Sequence, residues 1–363
     1  MRAPITHVLG ARPNFMKAAP VIRALAALGH DQRVVHTGQH YDERMSEVFF
    51  VQLGLPRPDV NLGVGSGSHA RQTAEVLTGM ESEFTENSPA LAVVYGDVNS
   101  TLGAALAAAK LSVPLAHVEA GLRSFDDSMP EEINRRLTDQ LCALLFVTSP
   151  EAIGHLAREG RPTDGVHLVG NPMIDTLRRH LPAARERGTA ARLGLKEGGY
   201  ALVTLHRPSN VDDAGSLDGM LRALQKLSSR IPVLFPVHPR TQARIKESGF
   251  RPSDELRMTD PLGYLDFLSL MASARFLVTD SGGIQEETTA LGVPCFTVRA
   301  NTERPITITE GTNHLLGTDP ASILPAAEAL LAGKPATPRC PALWDGRAGE
   351  RIAAVLSRFL AAD

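Results

Sequence analysis

The stretch from Val93 to Arg135 constrains the fold more than any other part of this sequence. An apolar strand ends at Asp97, an alanine-rich helix follows, and a second apolar strand ends at Glu119. Two strands joined by a helix in this way form a right-handed crossover, which makes them parallel. The stretch therefore predicts an open α/β sheet with a carboxylate at the carboxyl end of each of two strands.

These carboxylates indicate a ligand site, because ligands of open α/β sheets bind outside the carboxyl ends of the strands. Asp97 has a simpler alternative role, since it stands where it could cap the helix that follows. Capping does not account for Glu119, or for Glu131 and Arg135 in the polar segment that comes next. We expect these four side chains to share one pocket.

Length and composition exclude several classes of protein. A chain of 363 residues favours two domains, which we predict at 1–170 and 171–345, with a helix over 346–363 packing back on the first. A net charge of −3 offers no basic surface for nucleic acid. The three cysteines lack the spacing of a metal site or disulfide framework. From the cysteine spacing we expect no metal. No apolar run approaches the roughly 20 residues of a membrane span, and the chain starts on a strand without a signal peptide, so we expect a cytoplasmic protein.

Two regions have the character of phosphate sites. Arg12 and Lys17 lie near the start of the first predicted helix, where cations and free backbone amides attract anions; a solvated pair of cations is the alternative. In the second half, the turn Ser281-Gly282-Gly283 lets the backbone come close to an anion at a helix start.

The second half repeats the alternation of strands and helices, and polar residues again follow its strands. His206 and His238 each come directly after a strand, although a lone histidine is also common as a hydrogen-bonded structural residue. No Walker A lysine motif is present, which disfavours phosphoryl transfer from ATP. If the two halves face each other, their polar strand ends would line one cleft.

Eight segments, in order from about residue 5 to residue 319, resemble the non-hydrolysing UDP-N-acetylglucosamine 2-epimerases. They are GARPNFMKAAP, TGQHYDERMS, YGDVNSTL, HVEAGLRS, MPEEINR, TLHRPSN, TDSGGIQEE and NTERPITITEGTN. The resemblance implies an α/β protein with the GT-B fold, in which two Rossmann-like domains with parallel sheets face an interdomain cleft. It also implies reversible conversion of UDP-GlcNAc to UDP-ManNAc for cell-surface polysaccharide, without a cofactor, by a homodimer.

The resemblance also assigns roles to individual residues. The catalytic acids match Asp97, Glu119 and Glu131, assisted by His206 and Arg135. The substrate-binding set comprises Arg12, Lys17, Ser281, Gly282 and Gly283 for the diphosphate, Glu287 for the ribose, Phe267 for the base, and His238. The candidate allosteric residues, which match those that bind a second UDP-GlcNAc in some members, are Gln39, His40, Arg71 and Gln72, together with Arg207. Asn14 departs from the family, which often has Glu there.

The implied reaction eliminates UDP across C1 and C2, giving a 2-acetamidoglucal, and adds UDP back with the C2 proton on the other face. Inversion at C2 takes acid/base groups on both faces of the sugar. We expect Asp97 or Glu131 to be the C2 base, Glu119 to stabilise positive charge, and His206 to contact the leaving phosphate.

Several alternatives remain open at the level of sequence. The sugar could be a diacetamido-uronic or deoxy relative of UDP-GlcNAc. A GT-B glycosyltransferase would use the Ser281 turn and Glu287 equally well, although it has less use for three clustered acids. A hydrolysing epimerase would release ManNAc and UDP, and a nucleotide-sugar sensor would bind without any exchange at C2.

Overall fold

The chain forms two compact units in the computed structural model, which describes residues 3–39, 50, 52–333 and 339–362. The first unit comprises Met1–Thr176 with Ala342–Asp363, and the second comprises Leu177–Pro341. The candidate allosteric residue His40 lies outside the described residues, as do residues 41–49 and 51. None of the helices in the described part of the chain combines the length and the hydropathy that crossing a membrane takes.

A seven-stranded parallel sheet forms the centre of the first unit, in the order β3-β2-β1-β4-β5-β6-β7. Its strands are β1 (Ile5–Leu9), β2 (Gln32–His36), β3 (Val60–Asn61), β4 (Leu91–Tyr95), β5 (Leu115–Ala120), β6 (Leu144–Val147) and β7 (Val166–Leu168). The helices, numbered along the chain, are α1 (Arg12–Ala27), α2 (His69–Asn87), α3 (Asn99–Lys110), α4 (Pro130–Leu141), α5 (Pro150–Arg158), α6 (Pro172–Glu186), which contains the boundary residue Thr176, and the C-terminal α15 (Ala348–Ala362).

A six-stranded parallel sheet forms the centre of the second unit, in the order β10-β9-β8-β11-β12-β13. Its strands are β8 (Ala201–Thr204), β9 (Val233–Pro236), β10 (Leu256–Thr259), β11 (Phe276–Thr279), β12 (Cys295–Thr297) and β13 (Asn313–Leu315). Its helices are α7 (Thr189–Arg192), α8 (Pro208–Val211), α9 (Ala214–Ser228), α10 (Pro239–Ser248), α11 (Tyr264–Ser273), α12 (Gly282–Leu291), α13 (Ile306–Thr309) and α14 (Ile323–Ala332). The predicted α/β class with parallel sheets is confirmed.

Each sheet has a topological switch point, where the strand order reverses direction. The switch lies between β1 and β4 in the first unit and between β8 and β11 in the second. Crevices for ligands open at the carboxyl ends of such strand pairs. Arg12 and Asp97 follow the first pair, and His206 and Ser281 follow the second. The topology thus places predicted site residues where each sheet can receive a ligand.

The C-terminal helix is anchored within the first unit. The Asp175 carboxylate accepts hydrogen bonds from the backbone amides of Ala348 (3.1 Å) and Gly349 (2.7 Å), at the start of α15. Gly349 lies against α1, because a Cβ there would stand 2.7 Å from the backbone of Pro20. The absence of a side chain at Gly349 allows the two helices this close approach.

Candidate functional site

Glu119 occupies a strained position at the end of β5. Its backbone has φ +75°, a left-handed conformation that a non-glycine residue rarely adopts. The register between β5 and β6 shifts between Val118 and Ala120, so Glu119 forms a β-bulge. Its buried carboxylate forms an ion pair with the buried Nζ of Lys17. Strained residues of this kind cluster at functional sites, and the bulge directs the Glu119 side chain to a cation on α1.

Gly96 allows this ion pair to approach the backbone of the neighbouring strand end. It has φ +64°, and a Cβ at this position would lie 2.7 Å from Lys17 Nζ and 3.2 Å from Glu119 Oε2. Both the conformation and the space therefore call for glycine. The Lys17–Glu119 pair thus lies directly beside the turn that carries Asp97.

Asp97 pairs with Arg135 and does not cap α3. The Arg135 Nη2 donates to Asp97 Oδ2 at 2.5 Å, and the Asp97 side chain keeps 22% of its surface exposed. Helix α3 has Val98 as its N-cap residue, with no side-chain capping bond. Asn134 of α4 also donates to the Asp97 carbonyl (2.9 Å). Helix α4 therefore holds both the side chain and the backbone of Asp97.

The two glutamates at the start of α4 differ in their surroundings. Glu132 is fully buried and accepts from Arg135 (2.9 Å) and from the amide and hydroxyl of Ser124 (both 2.9 Å). Glu131, one residue earlier, is only half-buried. Glu132 thus braces Arg135, whereas Glu131 is the more accessible carboxylate. The role of Glu131 as a catalytic acid stays a prediction.

Asn14 joins the two strand ends of the switch point. Its Oδ1 accepts from the backbone amides of Gly10 (3.0 Å) and Ala11 (2.9 Å), and its Nδ2 donates to the Tyr95 carbonyl (2.7 Å). A glutamate could not donate the last of these bonds. The amide therefore ties the start of α1, where Arg12 lies, to the end of β4.

Among the candidate allosteric residues, the two glutamines are buried beside the start of α3. Gln39 Oε1 accepts from the Ser100 amide (2.9 Å), and Gln72 Oε1 accepts from Asn99 Nδ2 (2.8 Å). Arg71, by contrast, is 68% exposed and pairs with Glu75. These contacts give the glutamines a structural role, and binding of a second ligand by this group stays a prediction.

His206 and Asp280 form a pair at the switch point of the second unit. His206 Nδ1 lies 2.9 Å from Asp280 Oδ1, and the His206 side chain is 51% exposed. The buried Asp280 also accepts from the amides of His206 (3.1 Å) and Arg207 (2.9 Å) and from Asn210 Nδ2 (3.0 Å). Burial favours the neutral acid, but the hydrogen bond and charge of His206, together with the hydrogen bonds from Asn210 and the Arg207 amide, outweigh it and lower the Asp280 pKa. The ionised carboxylate fixes the orientation of the imidazole.

The turn that begins α12 has the geometry of an anion site. Ser281 is the N-cap residue and makes no side-chain capping bond, and Gly282 and Gly283 begin the helix. A Cβ on Gly282 would lie 2.5 Å from Arg304 Nη1, so the guanidinium lies against this turn. Arg304 also pairs with Glu286 (2.9 Å). Backbone amides and a cation at a helix N-terminus together favour a phosphate.

Glu287 lies one helical turn further along α12. It is buried and accepts a hydrogen bond from the Tyr264 hydroxyl (3.3 Å). Burial is the main cause that raises its pKa to about 8, and the nearby charge of Glu286 adds to the rise while the Tyr264 bond opposes it. Phe267, the predicted base-packing aromatic, is half-buried on α11, and His238 is exposed after β9.

The sequence reasoning missed several charged residues of the second unit. Glu303 is buried and accepts from both Nη atoms of Arg299 (2.9 and 2.8 Å), and it lies 3.3 Å from Arg304. The rule that polar residues at strand ends mark the site would have found Asp280 after β11 and Arg299 after β12. Glu303 and Arg304 lie further along the loop, where that rule gives no signal.

Comparison with known proteins identifies the family of this chain. The profile of the family described as UDP-N-acetylglucosamine 2-epimerase matches residues 23–357. The chain belongs to the UDP-N-acetylglucosamine 2-epimerase family. The UDP-N-acetylglucosamine 2-epimerase of Methanocaldococcus jannaschii is 40% identical over 97% of this chain and 98% of its own. The UDP-2,3-diacetamido-2,3-dideoxy-D-glucuronate 2-epimerase of Pseudomonas aeruginosa is also 40% identical, over 98% of this chain and 99% of its own.

A solved structure supports membership in the UDP-N-acetylglucosamine 2-epimerase family. The M. jannaschii UDP-GlcNAc 2-epimerase, in complex with UDP-GlcNAc and UDP, matches with a TM-score of 0.90 and 39% identity, covering 98% of this chain and 99% of that one. The predicted GT-B fold class is therefore confirmed, as is the resemblance on which it rested. This family member is accordingly an epimerase of the nucleotide-sugar class.

Proposed function

We propose that this chain interconverts UDP-GlcNAc and UDP-ManNAc by non-hydrolysing epimerisation at C2. The observation that carries the proposal is the pair of ion pairs at the ends of β4 and β5. Lys17 holds Glu119 in a strained bulge, and Arg135 holds Asp97 one residue after Gly96. Two carboxylates, each oriented by its own cation, suit a reaction that moves a proton and stabilises a cationic carbon.

The proposed reaction begins with departure of UDP. The C1–O bond breaks toward the diphosphate, which the amides of the Ser281 turn and nearby cations would stabilise. Loss of the leaving group makes C1 oxocarbenium-like, and the C2 proton then passes to a carboxylate to give 2-acetamidoglucal and UDP. Addition of UDP to C1, with a proton delivered to the opposite face of C2, completes the epimerisation. The reaction consumes no water and involves no net oxidation.

In the proposed reaction, the two units supply residues for different steps. Residues of the second unit would hold UDP: Ser281, Gly282 and Gly283 at the diphosphate, Glu287 at the ribose and Phe267 at the base. The His206 imidazole, oriented by Asp280 at 2.9 Å, would contact the leaving phosphate. In the first unit, Asp97 or Glu131 would be the C2 base, and Glu119 would stabilise positive charge.

Proton NMR in deuterated water tests the proposal with UDP-GlcNAc as the only substrate. We expect a mixture of the two UDP-sugars with deuterium at C2. Free ManNAc and UDP would indicate a hydrolysing enzyme instead. An unchanged substrate without exchange would contradict the proposal and favour a glycosyltransferase awaiting an acceptor or a sensor.

Asp97→Asn provides a matched variant for this experiment. It is nearly isosteric, and Asn can still accept from Arg135 while it cannot take the C2 proton. We expect deuterium incorporation to fall below detection while UDP still binds in calorimetry. Retained exchange would remove Asp97 from the candidate bases and leave Glu131.

A second substrate deserves a direct comparison. The P. aeruginosa relative, named for a diacetamido-glucuronate, is as similar to this chain as the M. jannaschii enzyme. A panel of UDP-GlcNAc, its diacetamido-uronic relative and deoxy sugars, read by the same NMR assay, decides between them through kcat/KM. Size-exclusion chromatography with light scattering tests the homodimer that the resemblance implies.

A further inference from the structure

The Gly96 carbonyl receives a hydrogen bond from a side chain at the point where the β4–β5 ladder ends. The Gly96 amide still donates to the Val118 carbonyl (3.0 Å). In a regular parallel ladder, the next bond would run from the Ala120 amide to the Gly96 carbonyl. The paired register stops before that bond, at the bulge around Glu119. The ring of His117 takes its place, with Nε2 2.7 Å from the Gly96 oxygen.

The surroundings of His117 fix which of its nitrogens carries a proton. A carbonyl oxygen only accepts, so Nε2 is the donor to Gly96. Nδ1 lies 2.7 Å from Oδ1 of Asp139 on α4, and both side chains are fully buried. Burial of Asp139 favours its neutral form, but hydrogen bonds and charge from His117 and Arg123 outweigh it and lower the pKa. The ionised carboxylate thus orients the imidazole through Nδ1.

Asp139 also holds the chain on the other side of the bulge. Its Oδ2 accepts from the Gly121 amide (3.1 Å) and from Arg123 Nη2 (2.7 Å). Arg123 in turn binds Glu159 through two bonds of 2.8 and 2.6 Å. Along this network the donors His117 and Arg123 alternate with the carboxylates of Asp139 and Glu159, so each buried carboxylate has hydrogen-bond donors. The network reaches from Gly96, one residue before Asp97, to Gly121, two residues after Glu119.

We propose that His117 is a positioning residue for the epimerisation, holding the Gly96 turn so that Asp97 and the Lys17–Glu119 pair keep their working geometry. The proposal rests on the function proposed above. A strained conformation such as that of Glu119 persists only where its surroundings over-determine it. Proton transfer is sensitive to small displacements, and a misplacement of about 1 Å costs about 10²-fold in rate.

Two substitutions separate the two hydrogen bonds of the ring. In His117→Gln, the amide nitrogen reaches about as far as Nε2 and can donate to Gly96, whereas the bond to Asp139 is lost. In His117→Asn, the shorter side chain reaches Asp139 but leaves the Gly96 carbonyl without its donor. Each variant loses one buried hydrogen bond, and the bond lost in His117→Gln is the one to an ionised carboxylate. We therefore expect His117→Gln to lower the melting temperature at least as much as His117→Asn.

The two variants should differ in turnover. We expect kcat of His117→Gln to stay within about tenfold of wild type and kcat of His117→Asn to fall about 10²-fold. KM and the Kd of UDP should change less than about threefold in both. Hydrogen exchange of the peptide that spans Gly96 and Asp97 should be faster in His117→Asn than in His117→Gln.

Equal losses of kcat and equal exchange rates in the two variants would overturn the proposal. Asp139→Asn covers the case in which a His117 variant does not fold. Its amide can donate to Nδ1 of a neutral His117, its oxygen can accept from Gly121 and Arg123, and the bond to Gly96 survives. We expect its kcat to stay within about tenfold of wild type, and a folded variant that loses 10²-fold would also overturn the proposal. The wild-type assay decides the proposed function separately.

Discussion

Replacement of Asp280 by Asn tests whether the carboxylate beside His206 contributes to turnover. Asp280 accepts from His206 Nδ1 (2.9 Å), from the amides of His206 and Arg207 (3.1 and 2.9 Å), and from Asn210 (3.0 Å). An asparagine has only one acceptor oxygen, so its amide group must face at least one of these donors. The imidazole then loses either its orientation or its charged partner.

The expected effect follows from the strength of a hydrogen bond to a charged group. Such a bond contributes about 1.5–3 kcal/mol, and each 1.36 kcal/mol in the barrier corresponds to tenfold in rate. If His206 acts on the leaving phosphate mainly in the transition state, a loss of about 2–3 kcal/mol lowers kcat about 30- to 150-fold. KM should change little, because the substitution leaves the proposed contacts between the diphosphate and the amides of the Ser281 turn in place.

Initial rates from proton NMR with UDP-GlcNAc measure this effect, normalised to the folded fraction from circular dichroism. Asp213→Asn is the matched control, because Asp213 caps α9 through the Ser216 amide (2.7 Å) and asparagine caps equally well. If kcat of Asp280→Asn lies within threefold of the control, the His206–Asp280 pair does not contribute to turnover. A loss confined to KM would place His206 in ground-state binding instead.

Two further predictions concern Gly96 and Glu287. Gly96→Ala should lower the free energy of unfolding by about 1–3 kcal/mol and should lower kcat by more than about 10²-fold, because the added Cβ displaces Lys17. Gly160→Ala is the control, because Gly160 has φ +79° with open space around it, so that variant carries only the backbone cost. Equal kcat values in the two variants would contradict the steric argument. Glu287, whose pKa is raised from its ordinary 4.5 to about 8, keeps its proton in the folded state while the unfolded chain ionises, so this group lowers stability progressively as the pH rises from about 4.5 to 8. Glu287→Gln should therefore raise the melting temperature more at pH 8 than at pH 5, while weakening UDP binding. Melting scans in which the difference between the variant and wild type does not depend on pH would contradict the predicted pH dependence.

The alternation of apolar strands and helices was sufficient to predict the architecture. Parallel strands such as β4 and β11 are short, apolar and buried, so their periodicity is visible in the sequence. Elements that carry few apolar residues or turn sharply, such as the two-residue β3 and the four-residue α8, gave no such signal. Strand-end polarity likewise pointed to Asp97, Glu119 and His206, because ligands of open α/β sheets bind outside the carboxyl ends of the strands, where polar side chains can contact them.

The partners of those residues were decided only by the tertiary structure. Nothing in the order of residues shows that Lys17 pairs with Glu119, that Arg135 pairs with Asp97, or that Asp280 orients His206, since each pair is separated by between 38 and 102 positions. Hydrophobic periodicity indicates which face of an element is buried, but it carries no information on which buried polar groups form hydrogen bonds or ion pairs with one another. Local sequence thus determined the sheets and the edge that carries the chemistry, whereas long-range packing determined which cation holds which carboxylate.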